Sequence, residues 1–229
     1  MNLSFNTIIF SLLGGILPAL LWLWFWLKED RLHPEPKSRI LIVFLVGMAS
    51  VFLVLPLEKF VFLATSSSIS LFTIIMWAGI EEVTKYIVAY FSVLRKKVVD
   101  EPIDTIIYMI TVALGFSALE NALFLFNIID NGLFVQSIIT GNSRFLGATL
   151  LHVASSASIG VMMGLSYYKK PIARKVYIFV GIVISILLHT TFNLLIIELE
   201  NNLFFIFAGI WVLIVLLIVL IEKVKKINS

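Results

Sequence analysis

Seven long apolar stretches, separated by short polar segments, account for most of the chain. Several exceed the roughly 18 residues that suggest a membrane-spanning helix. The pattern predicts an all-α fold, a polytopic membrane helix bundle in which residues 1–229 form a single transmembrane domain. Between the fourth and fifth spans, the segment DNGLFVQSIITGNSR is predicted to be a connection with a short interfacial piece. The predicted spans cover about residues 6–27, 40–62, 70–94, 103–129, 145–168, 176–197 and 203–222.

Basic residues predict the orientation of these spans. Of the 17 lysines and arginines, 14 lie in alternate connections and in the C-terminal tail, two lie on the other side, and Lys85 lies within the third span. Because cytoplasmic loops are enriched in Lys and Arg, the N-terminus is predicted to be outside and the C-terminus cytoplasmic. The first stretch lacks a basic start and a small-residue cleavage site, so it is predicted to be a retained helix. A multi-pass protein of a bacterial-type cytoplasmic membrane is expected.

Composition supports the membrane class. The chain is 60% hydrophobic and only 14% charged, whereas soluble domains are about 45–50% apolar. The net charge of +3 is explained by the connecting loops, so we expect the lipid bilayer as a partner and no nucleic acid. The absence of cysteine excludes a disulfide framework and a thiol nucleophile.

Ionisable residues inside the spans are the candidate chemistry. Each such group at mid-bilayer costs roughly 2.5–3.5 kcal/mol on insertion scales. At roughly 1.5 Å per residue, those of the third to sixth spans lie roughly 10–15 Å from the outer surface. Helices that run in alternating directions thus place polar groups at one depth, which predicts one shared site. The residues concerned are Glu81, Glu82 and Lys85, Glu120, His152, and His189 with Asn193.

Two kinds of chemistry fit this set. In one, a glutamate activates water as a general base, a histidine assists and Asn193 helps to hold a developing oxyanion. In the other, one zinc ion is bound by two or three of the candidate ligands, and a remaining glutamate acts as the base. These candidate ligands are Glu81, Glu120, His152 and His189.

Several residues also have simpler interpretations. Lys85 lies four residues after Glu81 and is expected to neutralise it on one helix face. Glu82 lies about 100° further around the helix, so its carboxylate is expected to point elsewhere. The serines of the fifth span are expected to be packing groups. Glu58 is expected to be an interfacial charge at the outer end of the second span.

The motifs resemble the PrsW family of intramembrane proteases, which is related to the CAAX-prenyl proteases and to the APH-1 subunit of gamma-secretase. The segments that carry the resemblance are EEVTK, FSALE, LLHVASS and HTTFN, with the flanking HPEPKSR and DEPIDTIIYMITVALGFSALENALF. The fourth motif ends in Asn193, where related proteins often have Asp. The resemblance implies a catalytic core at about 70–197, with site residues Glu81, Glu82, Glu120, His152, His189 and Asn193. It further implies site-1-type cleavage of a single-pass anti-sigma factor near the outer side of the membrane, by a metal-dependent or a glutamic mechanism.

Two other functions remain compatible with the same residues. A non-enzymatic scaffold like APH-1 would use the polar layer only for helix packing. A proton-coupled transporter would use it as a proton relay, although such carriers usually show repeated topology or broken helices. Which of Glu81 and Glu82 would be the base depends on the rotation of the third span.

Overall fold

A computed structural model describes residues 5–31, 33–198 and 203–227. These residues form eight α-helices, and no strand occurs among them. A 3₁₀ turn (Leu27–Asp30) extends the first helix, and a π-helical turn (Tyr90–Leu94) extends the third. The helices are α1 (Phe5–Trp26), α2 (Lys37–Ala64), α3 (Leu71–Ala89), α4 (Asp104–Asp130), α5 (Phe134–Leu146), α6 (Ala148–Leu165), α7 (Pro171–Glu198) and α8 (Leu203–Val224).

Six segments of the described chain are long and apolar enough to cross a membrane: α1, α2, α4, α5 together with α6, α7 and α8. The predicted polytopic all-α bundle is therefore confirmed. The remaining predicted span is α3, which has 19 residues and holds three charged side chains within its apolar sequence. It packs against α2 and α7 inside the bundle.

The predicted start of the fifth span was wrong. The segment 134–146, expected as a connection with a short interfacial piece, is the helix α5, and it forms one broken span of 32 residues with α6. Its polar residues made it resemble a loop, yet Gly141 packs on Leu125 of α4. The break lies at Gly147, where a Cβ atom would overlap the ring of Phe207. Glycine is therefore needed at this bend.

The helix α4 is the central element, and 19 of its 27 residues are buried. Glycines allow its neighbours to approach closely, as expected where helices associate without a hydrophobic driving force. A Cβ atom on Gly15 of α1 or Gly47 of α2 would overlap a carbonyl oxygen of α4. On α4 itself, a Cβ atom on Gly115 would overlap the carbonyl oxygen of Phe44. The helix α6 is also largely buried, and it packs against α4, α7 and α8.

Polar contacts join the segments that were predicted to be cytoplasmic. Lys225 Nζ lies 2.7 Å from Glu29 Oε2, and the Tyr167 hydroxyl donates to the Val99 carbonyl oxygen at 2.8 Å. The four segments joined by these contacts meet at one end of the helix bundle, which is called the inner end. At the opposite end, Trp77 Nε1 donates to the backbone oxygen of Glu58 at 3.0 Å.

Candidate active site

The helix α3 brings three charged side chains into the bundle. Glu81 is 7% exposed, and Glu82 and Lys85 are fully buried. Lys85 Nζ donates to Glu81 Oε2 at 3.2 Å, which confirms the expected pair four residues apart. It also donates to Glu82 Oε1 at 2.8 Å, so the expectation that Glu82 points elsewhere was wrong. Residues three apart are also neighbours on a helix, and a flexible glutamate side chain covers the difference in angle.

The carboxylate of Glu82 is the most enclosed group of the site. On α6, Ser155 and Ser156 donate to its two oxygens at 3.1 and 2.7 Å. On α7, Ser185 Oγ lies 2.8 Å from Glu82 Oε2, and His189 Nδ1 lies 2.8 Å from Glu82 Oε1. The serines of the fifth predicted span are therefore more than packing groups, because they bind a buried carboxylate. Such hydrogen bonds offset the cost of removing a charge from water.

His152 connects α3 to α4. Its Nδ1 lies 2.8 Å from Lys85 Nζ, and its Nε2 lies 3.0 Å from Glu120 Oε2. An ammonium group can only donate, so Nδ1 accepts and Nε2 carries the hydrogen that Glu120 receives. Arg144 at the end of α5 donates from Nη2 to the same Glu120 oxygen at 2.9 Å. A second guanidinium nitrogen, Nε, donates to Asn121.

Glu81 and the two histidines face one another at the base of a cavity. Glu81 Oε2 lies 3.7 Å from His152 Nδ1, and Glu81 Oε1 lies 3.8 Å from His189 Nε2. The two imidazole rings have centroids 5.1 Å apart and are nearly perpendicular. The cavity has a volume of about 430 Å³. Its polar lining includes Glu81, Glu120, Arg144, His152, His189 and Asn193.

The cavity lies on the side of the bundle opposite the inner end. Besides the polar groups, it is lined by Trp77 of α3, Thr140 of α5, Ile197 of α7 and Phe207 of α8. Each of these residues belongs to the half of its helix that the charge pattern predicts to be outer. Glu82 and Lys85 are fully buried, so Glu81 is the α3 carboxylate that reaches the open space.

Four of these side chains could hold a metal ion. Ligand atoms of Glu81, Glu82, His152 and His189 all lie within 4.8 Å of one another. The two Glu81–histidine distances are close to the roughly 3.3–3.5 Å that separates two ligands of a tetrahedral zinc ion. Glu82 on His189 and Glu120 on His152 also provide the carboxylate partners that metal-binding histidines usually have. Glu120, predicted as a ligand, lies outside this set and supports His152 instead.

Sequence reasoning missed two charged groups beside the site. Arg144 was counted as an outer-loop residue, because the segment that carries it was predicted as a connection and not as part of the fifth span. Glu58, predicted to be interfacial, is half-buried, and its backbone oxygen accepts the Nε1 hydrogen of the cavity-lining Trp77. For Arg144 the sequence did contain a signal. If the helical pattern is continued unbroken from residue 134, Arg144 lies eight residues, about two turns, before His152 on the same helix.

Comparison with known proteins gives a consistent result. Residues 35–221 match a family profile described as "PrsW family intramembrane metalloprotease". A "Protease PrsW" of Geobacillus kaustophilus is 30% identical over 198 residues, covering 84% of this chain and 82% of the relative. Proteins of the same description from Halalkalibacterium halodurans and Bacillus subtilis are each 28% identical, over 96% and 84% of this chain and 98% and 85% of their own. No solved structure matches the chain.

Proposed function

Because the chain belongs to the PrsW family of intramembrane metalloproteases and is therefore an intramembrane peptidase, we propose that it cleaves a single-pass membrane protein near the outer side of the membrane. The observation that carries this proposal is the position of Glu81. Its carboxylate reaches the cavity, is oriented by Lys85, and lies within 4 Å of both His152 and His189.

In the proposed reaction Glu81 is the general base. Its carboxylate accepts a proton from a water molecule in the cavity, and the water oxygen bonds to the carbonyl carbon of the peptide bond. The carbonyl π electrons move to oxygen, and hydrogen-bond donors at the cavity wall stabilise this oxyanion. The side-chain amide of Asn193 lines the cavity and can donate, so we assign it that role. Glu81 then returns the proton to the departing amine, which leaves a carboxylic acid and an amine as products.

The other site residues position the reacting groups. Glu82 fixes His189 through Nδ1, so that His189 Nε2 faces Glu81. Glu120, held by Arg144, fixes His152 in the same way through Nε2. This division of roles favours Glu81 over Glu82 as the base, because Glu82 is fully buried and has five hydrogen-bond partners.

A zinc ion fits the same cluster, with Glu81, His152 and His189 as its ligands. When bound, it would polarise the substrate carbonyl and lower the pKa of a coordinated water molecule. If Glu81 is a ligand, Glu120 is the remaining cavity carboxylate that could accept the proton. The Lys85 ammonium lies against His152 Nδ1, so the protein must exchange this hydrogen bond for metal coordination.

The proposed substrate class follows from the position of the cavity and from the resemblance. A cavity in the predicted outer half suits a peptide bond just below the outer surface of a single-pass protein. The resemblance implies that the substrate is an anti-sigma factor and that its cleavage here is the first step of a proteolytic cascade. Cleavage of a tagged anti-sigma factor in cells with and without the protease would test this point.

The first test is cleavage in liposomes by purified full-length protein. The Glu81→Gln variant should lose at least about 100-fold in rate, as expected for a lost general base. The matched control is Glu222→Gln, which changes an exposed carboxylate at the inner end of α8. Full activity of a folded Glu81→Gln variant would overturn the assignment. Inactivity of the native protein on several single-pass substrates would favour a scaffold, which should instead fail to assemble when Glu81 is changed.

A further inference from the structure

Three carboxylates meet at the inner end, far from the cavity. Asp30 closes the 3₁₀ turn after α1, Glu35 lies in the connection to α2, and Asp104 begins α4. One oxygen from each lies within 4.8 Å of the others. Asp104 and Glu120 are 16 residues apart on one helix, so this cluster is roughly 24 Å from the candidate active site. The two sites are therefore separate.

These carboxylates are buried without a counter-charge. Asp30 is 5% exposed, Glu35 9% and Asp104 1%. Asp104 Oδ2 accepts the backbone N–H groups of Asp100 and Glu101 at 2.8 and 2.7 Å, and Glu35 Oε2 accepts the Tyr108 hydroxyl. Within residues 5–31, 33–198 and 203–227, no salt bridge reaches any of the three. Buried carboxylates are usually paired with a cation or bound to a metal.

Asp30 gives independent evidence for a ligand. Its Oδ2 is buried, and among the described residues none donates a hydrogen bond to it. The residue nevertheless contributes an oxygen to the cluster with Glu35 and Asp104. A buried carboxylate oxygen without a partner is destabilising, because it has lost its hydrogen bonds to water, so a ligand at this oxygen would remove that cost. His33 lies in the same connection, but its ring is engaged at 2.6 Å with Glu101.

We propose that Asp30, Glu35 and Asp104 bind one hard divalent cation, Mg²⁺ or Ca²⁺, at the inner end of the bundle. Three carboxylate oxygens with no nitrogen or sulfur ligand form a donor set for such cations rather than for zinc. The remaining coordination positions would be taken by water, which Mg²⁺ in particular retains. The ion would clamp the connection between α1 and α2 onto the start of α4.

The test is thermal unfolding of the full-length protein in detergent after removal of divalent ions. With Mg²⁺ or Ca²⁺ at about ten times the dissociation constant, the apparent Tm should rise by about 3 °C or more. Asp30→Asn should be at least as stable as the native protein without metal and should lose this response. Glu35→Gln, which keeps an acceptor for Tyr108, provides a second variant if Asp30→Asn folds poorly.

Controls separate this site from other effects. Asp100→Asn changes an exposed carboxylate in the neighbouring connection and should keep the full response. Glu81→Gln should also keep it, which distinguishes this site from a metal at the cavity. Binding of Mn²⁺, counted by electron paramagnetic resonance, should fall by one ion per chain in Asp30→Asn. The proposal is overturned if neither cation raises the Tm, if both variants retain the response, or if Glu81→Gln abolishes it.

Discussion

Nζ of Lys85 lies 2.8 Å from Nδ1 of His152, and both residues are buried. This contact joins α3 to α6 and determines which imidazole nitrogen carries the hydrogen. Through Nε2 of His152 it continues to Glu120 and then to Arg144. A series of hydrogen bonds, with a neutral imidazole between the charged groups, thus crosses four helices. It also occupies the histidine nitrogen that would otherwise face a metal ion.

Removing the Lys85 charge should destabilise the protein strongly. Lys85→Met leaves Glu82 buried without its cation, and breaking a buried pair typically costs about 3–5 kcal/mol. The double variant Lys85→Met/Glu82→Gln should recover part of this loss, because the fully buried carboxylate charge is removed together with its cation. Denaturation in detergent measures the effect. Equal stability of Lys85→Met and the native protein would show that Lys85 does not neutralise the site.

Metal content distinguishes the two mechanisms. In the metal-dependent mechanism each purified chain should hold one zinc ion, and chelation should abolish cleavage until zinc is restored. His189→Ala should lose the ion, whereas Asn193→Ala, which changes a neutral group in the same cavity, should retain it. Cleavage that needs no metal and resists chelators would instead establish a glutamic-type reaction with Glu81 as the base.

Arg144 should act as a positioning residue. It holds Glu120, which in turn holds His152, so Arg144→Gln should lower kcat by about 10-fold or more without preventing folding. Arg144→Lys should be intermediate, since lysine keeps the charge but lacks the guanidinium fork that contacts both Glu120 and Asn121. Lys59→Gln, which removes the other outer-side cation, is the control. If Arg144 were only structural, these substitutions would lower the Tm but leave the kcat of the folded fraction unchanged.

Close packing around α4 predicts a sharp difference between two glycines. Gly115→Ala should cost about 1–3 kcal/mol, because its Cβ would overlap the Phe44 carbonyl oxygen on α2. Gly209→Ala on α8 should be neutral or slightly stabilising, since nothing lies within 4 Å of its added Cβ. Apparent Tm values of the two variants provide the comparison. Similar values would show that α2 and α4 can separate at little cost.

The predicted orientation is open to a direct chemical test. The chain has no cysteine, so single cysteines report without background. A membrane-impermeant maleimide added to intact cells should label Ser68→Cys between α2 and α3. It should not label Lys170→Cys before α7 until the membrane is opened. Both positions are exposed, so access does not depend on local unfolding. The opposite labelling pattern would place the cavity on the cytoplasmic side.

Hydrophobic pattern alone determined most of the helices and the depth of the polar groups. Rise per residue is fixed, so positions along a helix axis can be counted from sequence. This is why Glu81, Glu120, His152 and His189 were expected at one level, and the structure brings them together around the same cavity. The segment of α5 was predicted only as a connection with a short interfacial piece, because polar residues such as Asn142 and Arg144 interrupt its apolar pattern.

Only the tertiary structure determined which polar side chains at that depth contact one another. Rotation of each helix about its axis depends on glycine contacts such as Gly115 with Phe44, which join residues far apart in sequence. Those contacts place Glu82 among serines of two helices and leave Glu81 at the cavity. They also bring together Asp30 and Asp104, which are more than 70 residues apart in sequence. Sequence spacing determines height along a helix, and packing between helices determines which side chains meet.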